Sequence, residues 1–209
     1  MKTKQLLFTL IITGASFSVS LNAMSPSDLG TFQSDSTVLT ESELSFEDQA
    51  LIDLFQSHIK KGNYEWALTL WNEIEVKNTP ELQYAYLTAI EATGKKDSSY
   101  YKHEEFLKKY PNYGPALFWK AKYHFDKAER KYQSEMAKYN KDKNTTAYAY
   151  LRRELKKLSD DYKVSRDILL KLKEQDPTNK NQLVYLRNSY IRLEMQDEAA
   201  KITKIIDQL

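Results

Sequence analysis

One apolar stripe runs without interruption through the middle of the chain and constrains the fold more than any other feature. No glycine or proline occurs from Ala116 to Asp176. In the second half of this stretch, apolar and small residues recur at alternating spacings of three and four, namely Tyr148, Leu151, Leu155, Leu158, Tyr162, Ser165, Leu169 and Leu172. Such spacing is typical of a single helical seam, as in a coiled coil. We therefore expect one helix from about 145 to 175.

A nearly matching stripe precedes it and predicts a second long helix, from about 115 to 140. Its members are Phe118, Ala121, Phe125, Ala128, Tyr132, Met136 and Tyr139. The polar string from Asn140 to Thr145 is the expected turn. At 1.5 Å per residue each arm would be on the order of 40 Å long. The prediction is an extended central helical hairpin over residues 114–176.

A competing interpretation divides the same region into ordinary repeats. Gly62, Gly94, Ala128, Asp160 and Glu194 are spaced 32, 34, 32 and 34 residues apart and would mark five repeats. The seam that continues through Asp160, and Gln133 at a position that requires a small residue, favour the long hairpin.

The composition indicates an all-α protein. The 209 residues include five glycines, five prolines and no cysteine. Disulfide scaffolds, zinc fingers and thiol enzymes are therefore excluded, and there is little material for the many tight turns of a sandwich or barrel. Fifteen tyrosines are present, all after residue 63.

The N-terminus has the features of a secretory signal peptide. Lys2 and Lys4 precede an apolar stretch from Leu6 to Val19, which is followed by small residues up to Ala23. That stretch is shorter than the roughly 20 residues of a membrane span, so we expect cleavage rather than a stable membrane anchor. The predicted cut follows Ala23, with Ser18 or Ser20 as alternatives. These features predict export, to a bacterial periplasm or out of the cell.

Charge then divides the remaining chain. No Lys or Arg occurs from Gln5 to Ile59, and residues 60–209 hold 29 of the 31 basic residues with 22 of the 29 acidic ones. Residues 24–44, rich in Ser, Thr and Asp, are interpreted as a flexible acidic leader before a repeat domain at 45–209. Lysines alternate with acids throughout that domain, which indicates solvated helix faces and no nucleic-acid binding.

A period of 32 to 34 residues underlies the helical domain. Gly62 and Gly94 stand 32 residues apart before polar turns, and Pro111 and Pro177 each follow the end of a predicted helix. Small residues Ala67, Ser99 and Ala199 recur early in every second helix, where they allow close helix packing. In these features the chain resembles the tetratricopeptide repeat (TPR) family, with departures such as Glu194 where that family prefers glycine.

The resemblance implies an all-α, right-handed helical-repeat solenoid, here with the extended central hairpin, because single repeats must stack to bury their apolar stripes. It also implies that one stripe of each first helix faces a concave groove for a peptide or partner helix. The partner-binding residues assigned in this way are Tyr84, Thr88, Glu91, Phe118, Lys122, Phe125, Val184, Asn188 and Ile191. For Phe118 and Phe125 the seam of the hairpin is an equally good explanation, and Ile52, Gln56 and Ile59 complete the stripe in the first repeat.

Catalytic and metal-binding patterns are not found in the sequence. His58, His103 and His124 fall at packing positions of the repeat, and Asp160 and Asp161 point apart on a helix. There is no phosphate loop, HExxH or GxSxG motif. We expect no enzyme activity, no metal and no cofactor. The predicted function is a protein-interaction module, such as an adaptor or scaffold of the cell envelope. The alternatives are a structural protein that self-associates through the hairpin, and a cell-envelope enzyme with an unrecognised carboxylate pair.

Overall fold

The computed structural model describes residues 45–94 and 96–209, and within these ranges all regular structure is helical. Eight α-helices follow one another, namely α1 (Phe46–Lys60), α2 (Tyr64–Glu73), α3 (Pro80–Ala92), α4 (Lys96–Lys109), α5 (Gly114–Lys141), α6 (Thr145–Gln175), α7 (Lys180–Arg192) and α8 (Gln196–Asp207). Each helix packs against the next, and α1 also contacts α3 and α5 contacts α7. The predicted all-α, right-handed helical-repeat solenoid is confirmed. The predicted signal peptide and acidic leader lie outside the described residues.

Local sequence signals explain where the helices begin. The Ser45 hydroxyl accepts a hydrogen bond from the Asp48 amide at 3.0 Å and so caps α1. Thr79 caps α3 by accepting from the Leu82 amide at 3.3 Å, and Pro80 occupies the first helical position, where its missing N–H is not needed. Asn144 caps α6 at the hairpin turn. Side-chain caps therefore fix the starts of α1, α3 and α6.

The turns inside the repeats require a left-handed backbone. Gly62 and Gly94 have φ of 73° and 87°, values that glycine adopts without a Cβ penalty. Glu194, at the equivalent turn between α7 and α8, has φ of 60° and is the one non-glycine residue with positive φ in the described part of the chain. Glu194 is also the residue that stands where the tetratricopeptide pattern prefers glycine.

The central hairpin is continuous. α5 has 28 residues and α6 has 31, so the arms are about 42 and 46 Å long. α6 passes through Asp160 without a break, which excludes the register of five ordinary repeats. Both arms are roughly twice as long as the neighbouring helices, and both end within one residue of the expected bounds.

The core follows the predicted stripes, apart from the distal half of the hairpin. Leu169 and Leu172 pack with Leu183 and Leu186 where α6 meets α7, and Ala67 and Ala199 are buried as small contact residues. Three details differ from the predicted seams. Glu154 is buried next to the predicted seam residue Leu155, which is only partly buried. Tyr148 is half exposed, and Glu135 is buried between Lys131 and Lys138, whose ammonium groups lie 2.7 and 2.8 Å from its Oε1. The carboxylate tolerates burial because two cations share it.

In the part of the chain that the structure describes, no helix combines the length and the apolarity that crossing a membrane requires.

Candidate functional site

The partner-binding residues predicted from sequence lie on α3, α5 and α7. They do not form one uniform surface. Lys122 and Ile191 are exposed and Phe125 is buried, whereas the rest are partly buried, namely Tyr84, Thr88, Glu91, Phe118, Val184 and Asn188. A side chain of this set can bind a partner only with polar groups and ring surface that do not already contact the rest of the protein.

On α3, hydrogen bonds inside the protein engage the polar tips. The Tyr84 hydroxyl donates to the Pro115 carbonyl oxygen at 3.0 Å, and burial raises the pKa of this phenol well above its usual value, with a further contribution from Glu91. Glu91 Oε2 accepts from the Trp119 indole N–H at 2.8 Å. The Thr88 hydroxyl donates to the Tyr84 carbonyl oxygen at 3.0 Å. These groups hold α3 to α5 and to its own backbone.

The predicted aromatic residues of α5 pack against α7. Phe118 and Phe125 both meet the Tyr185 ring edge to face, at centroid distances of 5.7 and 5.3 Å. Val184 packs against the core shared by α5 to α8. The Asn188 amide oxygen accepts from the neighbouring Arg187 guanidinium. The structure thus brings Phe118, Phe125 and Val184 together as packing residues.

A groove of about 990 Å³ lies where the distal half of α6 extends past the turn between α7 and α8. One face of α6 forms its wall, with side chains spaced three or four residues apart along about 22 Å of helix. These wall residues are Tyr148, Arg152, Leu155, Ser159 and Lys163, with Lys156 beside them. Ile191, Arg192, Leu193 and Glu194 line the groove from the turn, and Tyr132 of α5 also lines it. Ile191 is the only residue of the predicted site that lines this groove.

The charges of the groove are predominantly positive. Arg152, Arg153, Lys156, Lys163 and Arg192 line it, against one carboxylate, Glu194. No described carboxylate lies within 4.0 Å of the Arg152 guanidinium or the Lys156 ammonium, and both side chains are exposed. The Lys163 ammonium is 3.0 Å from Asp160 Oδ1. The wall therefore presents two cations that no ion pair within the described chain neutralises.

A hydrogen-bonded network fixes Arg192 at the edge of the groove. Its Nε and Nη2 donate to the two carboxylate oxygens of Glu129 at 2.8 and 2.6 Å, and its guanidinium lies 3.9 Å from the centre of the Tyr132 ring. The Tyr162 hydroxyl donates to Glu129 Oε2 at 3.1 Å. Burial by itself would raise the pKa of Glu129, but the hydrogen bonds from Arg192, Gln133 and Tyr162 outweigh it and hold that pKa below its usual value. The paired, stacked arginine is a rigid boundary of the groove.

The histidines occupy packing positions, as the repeat register predicts for them. His103 is buried and stacks flat on Trp119, with ring centroids 3.7 Å apart. His124 Nδ1 lies 2.7 Å from Asp161 Oδ1, and the Lys127 ammonium also contacts that carboxylate. The His58 ring stacks against Trp66. Across residues 45–94 and 96–209, no three His, Asp or Glu side chains are grouped closely enough to hold a metal ion.

Most residues that line the groove are not predicted as binding residues from the sequence. Tyr148 is assigned to the hairpin seam in the sequence, and Arg152 and Lys156 look like an ordinary solvated helix face. The only available signal is the length mismatch between the central hairpin and its neighbours, which implies that part of α6 extends beyond the helices packed against its base. Which residues line the resulting corner depends on the rotation of α6.

No family model matches the sequence, and no curated protein matches it. Solved structures do resemble it. One is a Bacteroides ovatus protein assigned provisionally to protein binding, with 18% identity, a TM-score of 0.58, and coverage of 81% of this chain and 79% of that chain. Another is MamA from Desulfovibrio magneticus, with 20% identity and coverage of 78% and 95%, but its TM-score of 0.38 is too low to bear on the fold. The Bacteroides likeness supports the helical-repeat fold of this chain.

Proposed function

We propose that this chain is a non-enzymatic protein-interaction module of the tetratricopeptide repeat type, which holds a segment of another protein in the groove between α6 and the α7–α8 turn. The groove is the observation that carries the proposal. It has the volume for several side chains, and it combines apolar surface at Leu155 and Ile191 with polar groups that can orient a partner. The provisional protein-binding role of the Bacteroides ovatus protein is consistent with it.

Contacts in this groove displace fewer existing hydrogen bonds than contacts with the stripe on α3. The Tyr84 hydroxyl and the Glu91 carboxylate are already hydrogen-bonded to Pro115 and Trp119, and a partner that displaced either bond and left a buried group unpaired would lose about 1–3 kcal/mol. Ile191 and Tyr148 are 41% and 50% exposed and can bury surface on binding without such a loss. Partner contacts at the α6 corner therefore cost less than contacts at the α3 stripe.

A binding role also fits the groove better than the hydrolase alternative. Glycoside hydrolysis normally uses two carboxyl groups, about 5–10 Å apart, on either side of the scissile bond. Glu194 is the single carboxylate that lines the groove, alongside five basic side chains. These lining residues can orient a charged partner, but they do not include the second carboxyl group that glycoside hydrolysis requires.

We further propose that the protein acts outside the inner membrane, as an adaptor or scaffold of a bacterial envelope. The support is the sequence of the first 23 residues, with two lysines, an apolar stretch and small residues before the expected cut. The mass of the protein purified from the envelope tests this part. We expect the mass of a chain that begins at Met24, and the mass of the full 209-residue chain would contradict the proposed export.

Site-specific photo-crosslinking in intact cells tests the binding site. A photoreactive amino acid replaces Ile191 in the groove, and a matched variant carries it at Lys171, an exposed residue of α6 outside the groove lining. We expect a discrete crosslinked protein from position 191 and not from position 171. Equal crosslinking from the two positions, or none from position 191, would overturn the groove assignment, and a crosslink only to a second copy of the chain would favour self-association instead.

A further inference from the structure

We infer that the groove between α6 and the α7–α8 turn selects an acidic segment of its protein partner, one that carries carboxylates beside at least one apolar side chain. The inference rests on the proposed function and names the chemistry of the partner. Four observations carry it: the unpaired cations on α6, their spacing, the apolar residues that line the groove beside them and the single carboxylate among the lining residues.

The two exposed cations of the wall are available to a partner. Arg152 and Lys156 have no carboxylate within 4.0 Å in the described part of the chain, whereas Lys131, Lys138 and Lys157 of the same hairpin already contact one. A cation without a partner loses no existing ion pair when a new carboxylate approaches. Its attraction to that carboxylate is strengthened where the partner excludes water from the groove.

The spacing of these groups defines what fits. Arg152 and Lys156 are one helical turn apart, so their side chains project about 6 Å from each other along α6. Carboxylates four residues apart on a helix, or two residues apart on an extended strand, have a similar separation. Leu155 lies beside this pair on α6 and Ile191 lines the groove from the turn, so an apolar side chain of the partner can be buried next to its carboxylates.

The same surface is less suited to a nucleic acid. Phosphate binding favours a continuous basic groove, often with aromatic rings on which bases stack. Here the carboxylate of Glu194 and the aliphatic residues Leu151, Leu155 and Ile191 line the groove together with the basic residues. Of the aromatic residues that line the groove, Tyr132 already stacks on Arg192 and Tyr162 is buried, which leaves Tyr148 as a single exposed ring. Carboxylates flanking an apolar side chain match these features more closely than a chain of phosphates does.

The test measures binding of the full chain to a synthetic peptide of about 16 residues, designed as an amphipathic helix with Glu at every fourth position and Leu beside it. A second peptide carries Lys in place of Glu, and a single-stranded DNA oligonucleotide is the third probe. We expect the acidic peptide to bind, the lysine peptide not to bind, and the affinity for the acidic peptide to fall as salt is raised. The oligonucleotide should bind more weakly than the acidic peptide.

The charge-reversal variant Arg152→Glu with Lys156→Glu should weaken binding of the acidic peptide about tenfold or more, because it removes two attractive pairs and replaces them with repulsion. Arg152→Gln with Lys156→Gln should weaken it less. The control, Lys143→Glu with Lys171→Glu, makes the same change in net charge at exposed sites outside the groove and should alter affinity by less than about twofold.

Several outcomes would overturn the inference. These are an absence of acidic-peptide binding, equal losses in the groove and control variants, and tighter binding of the oligonucleotide that the groove variant abolishes. If charge reversal has no effect while crosslinking from position 191 persists, the acidic specificity is wrong and the protein-binding role stands. If both fail, the proposed function fails with it. Circular dichroism of each variant confirms that these exposed substitutions leave the helices intact.

Discussion

Replacement of His103 by Phe should remove a pH-dependent loss of stability. His103 is 1% exposed, its ring lies flat on Trp119, and neither ring nitrogen has a hydrogen-bond partner among the described residues. A carboxylate oxygen of Glu91 is 3.8 Å from Nε2, beyond hydrogen-bond distance. Burial lowers the pKa of His103 from 6.5 to about 4, against a smaller opposing effect of Glu104. The folded protein therefore keeps this ring neutral at a pH where the unfolded chain protonates it.

The sign and size of the effect follow from this difference. Because the pKa is lower in the folded state, the unfolded state binds more protons below pH 6.5, and stability falls as the pH falls from about 6.5 to about 4. At pH 5, about 1.5 pH units below the pKa of the unfolded state, protonation of His103 stabilises the unfolded state by about 2 kcal/mol. His103→Phe preserves the ring stack and has no group to protonate, so this part of the loss should disappear.

Denaturant unfolding at pH 7 and pH 5 measures the effect. The wild type should lose about 2 kcal/mol more than His103→Phe between these two values. At pH 7 the variant should be at least as stable as the wild type, because Phe leaves no buried nitrogen without a partner. Carboxylates such as Glu129 titrate below their usual range and contribute equally to both proteins. An identical pH-dependent loss in both proteins would refute the account of His103.

Three further tests address the fold, the last with a paired control substitution. Arg192→Ala should destabilise the protein by about 2 kcal/mol in urea unfolding, because Glu129 loses two charge-assisted hydrogen bonds; an unchanged midpoint would contradict this. Glu194→Gly should stabilise it by about 0.5–1 kcal/mol, since glycine adopts a φ of 60° without strain, and a lower melting temperature would count against the turn. Asp160→Pro should cost about 3 kcal/mol or more because it interrupts α6, whereas Thr145→Pro at the first helical position should be tolerated; equal tolerance would indicate a break near Asp160.

The sequence predicts the helices well because local signals and long periodic stripes determine them. The caps at Ser45 and Thr79 set helix starts, and the seam from Leu151 to Leu172 defines α6 to within one residue of its observed bounds. The small residues Ala67 and Ala199 indicate which faces approach closely, and both are buried. Each of these features depends on neighbours only a few residues away in the chain.

The candidate site was less predictable because it depends on contacts between distant residues. Whether the Tyr84 hydroxyl is free or bonded depends on the position of Pro115, which is 31 residues further along the chain. The exposure of Tyr148 depends on how far α6 extends beyond α7 and α8. The burial of Glu135 depends on two lysines that reach over it from the same helix. Apolar residues spaced three and four apart predict a buried helix face, but this spacing does not reveal these long-range contacts.

Hydrogen–deuterium exchange of the full chain tests the central claim most directly when it is measured with and without the protein recovered by crosslinking from position 191. The account predicts slower exchange in the partner-bound state that is confined to α6 between Tyr148 and Lys163 and to the turn from Ile191 to Met195. Protection centred on α1 to α4, or no change in the α6 segment, would contradict the proposal that this groove is the binding site.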